Sequence, residues 1–352
     1  MNSLRQFWPV LLLLLVFGCK DPNEEPEEYV QFDDALAAFY SEGISPAFSN
    51  VNAATAALEA AAGAFANNPT ESNFDLLKEE LKDTHSAWQQ VSPYRFGPAE
   101  DHNLHARVNT YPADTAAIES IIQSGNFDGL ENDQRGFAAI AWVLYRQDAL
   151  QTLQSDANAL DYLNAQCSAV ASLVDQVKDD WGSYQETFTT SLGASAGSGL
   201  SLYLNSFVFD YEDLKRNKLA LPLGLLTLGT PLPDRTEAYH AGYSAELAIA
   251  HLEASISAFE VTGDQGLDDL LNQAGAFHSP SNRDLSVAIS EELAEARIAL
   301  DQLIDPLSAQ VVDDPITVEE VYNELQEVVV LIKADMPSAL GVSITFTDND
   351  GD

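Results

Sequence analysis

The chain has 352 residues, 46% of them hydrophobic, which is long and apolar enough to bury a large core. Against 16 Lys and Arg stand 55 Asp and Glu, a formal charge of −39. A surface of that sign repels phosphate backbones and anionic lipid, so a nucleic-acid reader is excluded, and a saline exterior or a basic or metal-bearing partner suits it.

The N-terminus reads as an export signal. Arg5 gives a short positive region, and Phe7–Phe17 is an apolar run too short to span a bilayer as a mature helix. Val16-Phe17-Gly18-Cys19 resembles a bacterial lipobox, which makes 1–18 a signal peptide and Cys19 the lipidated residue. Residues 19–31 follow as an acidic, Pro-bearing tether. Loss of Met1–Gly18 removes Arg5 alone, leaving 55 acids and 15 bases, 15 − 55 = −40. The expected location is an outer-membrane lipoprotein anchored through Cys19, exposed at the cell surface if Lys20-Asp21 and the acids behind it act as a surface-export signal. With Cys19 lipidated, Cys167 has no partner for a disulfide and reads as a small buried hydrophobe on a helix.

Along the mature chain the spacing is helical nearly throughout. Phe32–Phe65 is alanine-rich and breaks near Ser45-Pro46. Thr70 opens Phe74–Val91, with Leu77, Leu81, Thr84, His85 and Trp88 on one face. Glu100–Pro112 is polar and loop-like, and Asp114–Gln123 is a short helix. A central helix runs from the stretch at Arg135 to about Gln154, with Phe137, Ile140, Ala141 and Leu144 on one face, Asp133 as N-cap and Gly136 allowing close backbone approach. Asp156–Leu192 is long, and 193–199 is a small-residue hinge. Leu200–Lys218, Arg235–Phe259, Asp264–Gln273, Asp284–Ile304 and Thr317–Ala334 are further helices, with a loop at Leu221–Pro233. Gly341–Thr347 alternates with β-branched residues and predicts the one strand, as an edge or an extended tail. The fold class is all-α: two packed antiparallel helical bundles, 32–192 and 200–352, with a short extended C-terminal tail.

The central stretch carries a resemblance. Gly136-x-Ala138-x-x-Ala141 resembles the Gly-x-His-x-x-Glu signature of the imelysin-like family, with the glycine kept and both donor positions alanine. Further pieces agree in order: Trp88 then Phe96-Gly97-Pro98; Asn109-Thr110-Tyr111-Pro112 for Asn-x-Trp-Pro; Leu214–Leu219 and Leu221–Gly224; Glu237-Ala238-Tyr239 with Gly242-Tyr243-Ser244; and Leu340–Phe346 before the acidic end. The resemblance covers nearly the whole mature chain. It implies two helical bundles with the signature helix near their interface. The family includes insulin-cleaving metallopeptidases and proteins similar to iron-regulated protein A. It also implies ligand-facing positions at Trp88, Asn109, Tyr111, Arg216, Glu237 and Ser244.

Imidazole and carboxylate one helical turn apart can share a metal, whereas Ala138 and Ala141 supply no donor atom. Other metal candidates are Glu100, Asp101, His102 and His105, two histidines three apart beside two carboxylates, for zinc or iron. Asp348, Asp350 and Asp352 form an alternating acidic end for calcium. His240 and Ser244 share a helix face, with Glu237 three before the histidine. His85, His251 and His278 read as isolated. Arg107, Arg216 and Arg235 stand out because bases are scarce, as structural partners of carboxylates or as an anion pocket. The leading reading is a non-catalytic binding component associated with iron uptake, partnered by its lipid anchor and by iron-uptake outer-membrane proteins. The alternatives are a metal-dependent peptidase working through other residues and a surface interaction or adhesion module. Restoring Ala138→His with Ala141→Glu is expected to raise divalent-ion affinity if the motif pocket survives.

Overall fold

The computed structural model describes residues 33–263 and 265–346. The signal, Cys19, the tether, Asp264 and the Asp348–Asp352 acids therefore lie outside the described residues. The described residues form one compact unit, and it is all-α apart from one small hairpin.

In the first half, α1 (Asp33–Ala38) leads through a π-helical turn, Phe39–Ile44, into α2 (Ser45–Asn67). The chain turns back into α3 (Glu71–Trp88), opened by Thr70, whose hydroxyl accepts from the Asn73 amide at 3.3 Å. Leu77, Leu81, Thr84, His85 and Trp88 are all buried, as the spacing predicts. After α4 (Pro98–Asp101), α5 (Leu104–Val108) and α6 (Thr115–Ser124) comes α7 (Gly136–Tyr145), the motif helix. Then α8 (Ala149–Ser155) and α9 (Ala157–Thr189) follow, and α9 packs along α2. Asp156 caps α9 by accepting from Asn158 and Ala159. Cys167 is fully buried there, and burial pushes its thiol up to about 12.

In the second half, α10 (Gly199–Asp213) runs into a π-helical segment, Leu214–Ala220, and the single turn α11 (Leu221–Leu223). Next come α12 (Ser244–Phe259), α13 (Leu267–Gln273), the antiparallel pair β1 (Phe277–His278) and β2 (Arg283–Asp284), and α14 (Leu285–Leu300). The chain ends with α15 (Leu307–Asp313), α16 (Pro315–Val330), a third π segment at Leu331–Asp335, and α17 (Met336–Ala339).

The expected break at Ser45-Pro46 is instead a widened turn. The same device recurs: each π segment precedes a helix whose second residue is proline, Pro46, Pro222 or Pro337. A proline has no N–H to give, and its ring presses on the carbonyl four residues earlier, here Glu42, Lys218 or Lys333. Opening the preceding turn relieves that clash while the helix continues.

Other expectations are corrected. Glu100–Pro112 is not a loop: it holds the end of α4 and all of α5, joined through Asn103 in the left-handed region at φ 49. The central helix stops at Tyr145, because Arg146 turns extended, pairs with Glu119 at 2.9 Å and stacks on Trp142. Asp133 does not cap it. That residue lies in the 3-10 turn Asn132–Gln134, and Arg135 precedes the helix. Arg235–Phe259 is not one helix either. It begins at Ser244, where the Asp305 carboxylate, distant in sequence, accepts from the amides of Ala245 at 2.8 Å and Glu246 at 3.1 Å. Gly341–Thr347 forms no ladder among the described residues. Its backbone is held by one side chain: Asn205 donates to the Ser343 carbonyl at 3.0 Å and accepts from the Thr345 amide at 2.7 Å.

Candidate functional site

A cavity of 410 Å³ opens where the end of α3, the α5–Tyr111 stretch, the π segment after α10, the turn at Glu237 and α12 converge. Trp88, Gln89 and Ser92 come from the first, and His105, Asn109 and Tyr111 from the second. Asp213, Asn217 and Lys218 line the opposite wall. The π turn matters to this placement, because it offsets Lys218 from the α10 register and aims it inward, where it is 4% exposed.

The walls hold two buried charge clusters. In the first, Glu237, 3% exposed, pairs with Lys218 and accepts from Asn109 at 2.7 Å and Gln89 at 3.0 Å. His85 lies 3.3 Å away on the same oxygen, and Lys218 also donates to the Gln89 side-chain oxygen at 2.8 Å. Burial alone raises the Glu237 carboxyl, but Lys218 and His85 outweigh it and hold it well below the usual range. In the second cluster, fully buried Asp210 accepts from Ser92, sits 2.7 Å from His251 and 2.9 Å from Arg95. Arg95 reaches on to Asp213 at 2.5 Å. Burial again raises the Asp210 carboxyl, and His251 and Arg95 reverse the shift.

His105 differs from every other group here. Burial drives its pKa down to about 3, helped by Arg95, so the ring is neutral. It bonds the Val91 backbone, while its buried Nε2 has no partner among the described residues. The proton therefore belongs on Nδ1, and Nε2 is an acceptor beside the Trp88 ring. Across from it Tyr111, whose phenol burial and Glu237 push up, remains a neutral hydroxyl. Such an arrangement can recognise a polar ligand.

The motif positions lie next door. Gly136 has φ +74, and a Cβ there would overlap the Val108 carbonyl oxygen and sit 3.1 Å from that of Arg107. Only glycine lets α7 start against the end of α5. Ala138 and Ala141 face a void of just 10 Å³, walled by Tyr111, Pro112, Ala113, Thr236, Glu237, Tyr239 and His240. The residues present do not fit a resident metal. Both alanines lack donors, and the adjacent Glu237 carboxylate is engaged on Oε2 by Lys218 and on Oε1 by Gln89 and Asn109. Among the described residues no group of three or more His, Cys, Asp or Glu is placed to hold an ion.

The remaining candidates scatter. Trp88, Asn109, Tyr111 and Glu237 meet at the cavity, whereas Arg216 lines a different recess. Ser244 is buried and accepts from the Ala238 amide at 3.3 Å, a turn contact, and His240 shares no helix with it. His102 turns outward to Asp180 at 2.7 Å while His105 turns inward, and Glu100 and Asp101 are exposed. Arg235 is exposed, and His278 bonds the Ser281 hydroxyl at 2.7 Å. His85 and His251, read as isolated, are partners of Glu237 and Asp210. Arg95, Asp210, Asp213 and Lys218 were not singled out individually, although Asp210 inside the apolar run Leu200–Tyr211 was a usable signal.

The family model described as imelysin matches residues 44–332. The chain belongs to the imelysin family. Across 118 residues it is 25% identical to iron-regulated protein A of Synechococcus elongatus, a match covering 32% of each chain, so it spans about a third of that relative. An iron-regulated protein A precursor from Parabacteroides distasonis has the same fold, with TM-score 0.75 at 15% identity over 90% of this chain and 97% of that one. An imelysin-like protein from Psychrobacter arcticum gives TM-score 0.72 at 20% identity, with the same coverage. In this imelysin-family chain Ala138 and Ala141 are buried beside Gly136, against the small void.

Proposed function

We propose that this imelysin-family protein is a non-catalytic binding component of an iron-related process, held at the cell envelope through lipid on Cys19. The observation that carries the reading is the contrast between a 410 Å³ polar cavity and a 10 Å³ void at the two alanines where the signature's metal donors would stand. Hydrolysis by a metal needs an ion with an open coordination position, and neither alanine can help to hold one. Recognition needs only shape and unmet hydrogen-bonding groups, which His105 and Tyr111 supply. The iron-related part rests on kinship with proteins named for iron regulation. Among the described residues no helix is long and apolar enough to cross a membrane, so on this reading the N-terminal lipid makes the attachment.

The test has two arms. Protein abundance is compared between iron-starved and iron-replete cells, and the purified protein is incubated with denatured protein substrates with and without chelator. The reading expects higher abundance under starvation and no cleavage. Chelator-sensitive cleavage would replace it with the metal-dependent peptidase.

A further inference from the structure

In a chain with 55 acids and 16 bases, a base without an acid beside it is unusual. Arg95, Arg146, Arg283 and Arg297 each reach a carboxylate. Arg107 and Arg135 do not. Among the described residues neither forms an ion pair, and the Arg107 side chain makes no hydrogen bond. Of the two roles the sequence leaves open for Arg107, the structural partner of a carboxylate thus has no counterpart among the described residues.

What the fold places beside each arginine is the other. The end of α5 meets the start of α7: a Cβ on Gly136 would sit 3.1 Å from the Arg107 carbonyl oxygen, and Arg135 is the residue before that glycine. Burial first, and the Arg107 charge second, lower the Arg135 guanidinium from its usual value, while Glu131 acts the other way without forming an ion pair. One Arg135 Nη donates to the Asn132 side-chain oxygen at 2.9 Å. Its Nε is buried and has no partner among the described residues. Both residues are otherwise only partly buried, so a solute can reach them. Two like charges held together oppose folding, and a buried donor without an acceptor adds to that cost. One anion between the two guanidinium groups removes both penalties.

We propose that Arg107 and Arg135, at the junction of α5 and α7, form a binding site for a phosphate group. Each guanidinium is a flat fork that donates to two oxygens at once. Two forks together can engage three oxygens of a phosphate, where a carboxylate offers only two. The site shares no lining residue with the cavity at His105 and does not depend on the function assigned there. The phosphate can be the free ion or a group carried on a larger molecule.

The experiment is calorimetric titration of inorganic phosphate, at low ionic strength, into the chain without its signal peptide. Saturable one-to-one binding is expected, weakened by added salt and tighter than that of acetate. Arg107→Gln with Arg135→Gln should weaken it at least tenfold, while Arg235→Gln with Arg297→Gln, the same charge loss elsewhere, leaves it unchanged. Circular dichroism checks the fold. If the double variant unfolds, Arg107→Lys, which keeps the charge and loses the fork, should still weaken phosphate binding. The titration is repeated with methyl phosphate. Equal binding of both supports a phosphate carried on a larger molecule, and binding of the inorganic ion alone supports the free ion. No saturable phosphate binding, acetate bound as tightly as phosphate, or binding indifferent to Arg107 and Arg135 would overturn the proposal.

Discussion

The cavity at His105 and the void at Ala138 and Ala141 share two wall residues, Tyr111 and Glu237, yet they differ about forty-fold in volume (410 against 10 Å³). Their chemistry differs as much. The cavity is walled by charges that neutralise one another, with His105 Nε2 and His251 Nδ1 buried and without a partner among the described residues. The void is walled by Tyr111, Pro112 and Ala113, by the two alanines of α7 and by the irregular turn from Thr236 to His240. In a closely packed interior no sizeable void is left beside the two alanines, and the backbone frame there is set by the contact of α7 with the end of α5 at Gly136.

That frame should be the more fragile of the two. Gly136→Ala forces a side chain into the left-handed region and onto the Val108 carbonyl, and we expect a loss of more than about 4 kcal/mol in denaturant unfolding, or failure to fold. A loss below about 1 kcal/mol would mean that α7 can start without this contact. On the cavity side, Lys218→Met leaves Glu237 buried without its cation, for an expected cost of about 3–5 kcal/mol by the same measurement. Adding Glu237→Gln to it should recover a large part of that loss, because the uncompensated charge goes with it.

The smallest effect is one of pH. His105 is held near 3 in the fold against 6.5 for a free imidazole. Below pH 6.5 the unfolded chain takes up a proton that the folded chain refuses, so stability falls as pH drops from about 6.5 toward 3, by about 1.4 kcal/mol per pH unit for this one group. His240, also lowered by burial, adds a slope of the same sign. Asp210 and Glu237 have depressed values, so their contributions are present above the ordinary carboxylate range and are lost only at more acid pH. Comparing wild type with His105→Gln between pH 6.5 and 4.5 isolates the histidine, and the variant should show the shallower slope. Identical slopes would mean that His105 is solvated.

The sequence makes the helices legible where burial follows the helical period, as on α3 and α9, and where caps are local, as at Thr70 and Asp156. It fails where the decisive partner is distant. Nothing near Ser244 announces that Asp305 starts that helix, and nothing near Thr345 announces that Asn205 holds it. The polar stretch at Glu100–Pro112 hid α4 and α5 because its few apolar residues, Leu104 and Val108, are too sparse to show a period. Of the site, Trp88, Asn109, Tyr111 and Glu237 were reached through the family resemblance rather than through spacing. The ion pairs behind them were not, because His85, Arg95, Asp210 and Lys218 are brought together only by tertiary packing. The proline two residues after each π segment is a local signal, and it was readable at Pro46 only as a break.

The central claim is that the signature's metal site has closed while the neighbouring cavity has not. The most direct measurement is calorimetric titration of zinc and ferrous ion into wild type and into the Ala138→His, Ala141→Glu double variant, with thermal unfolding of both. Ala138 and Ala141 are buried against a void of only 10 Å³, so the variant is expected to melt lower than wild type through overpacking and to show no saturable one-to-one binding. Tight stoichiometric binding by the variant, with its stability kept, would contradict the account and show that the old site is still intact beneath its missing side chains.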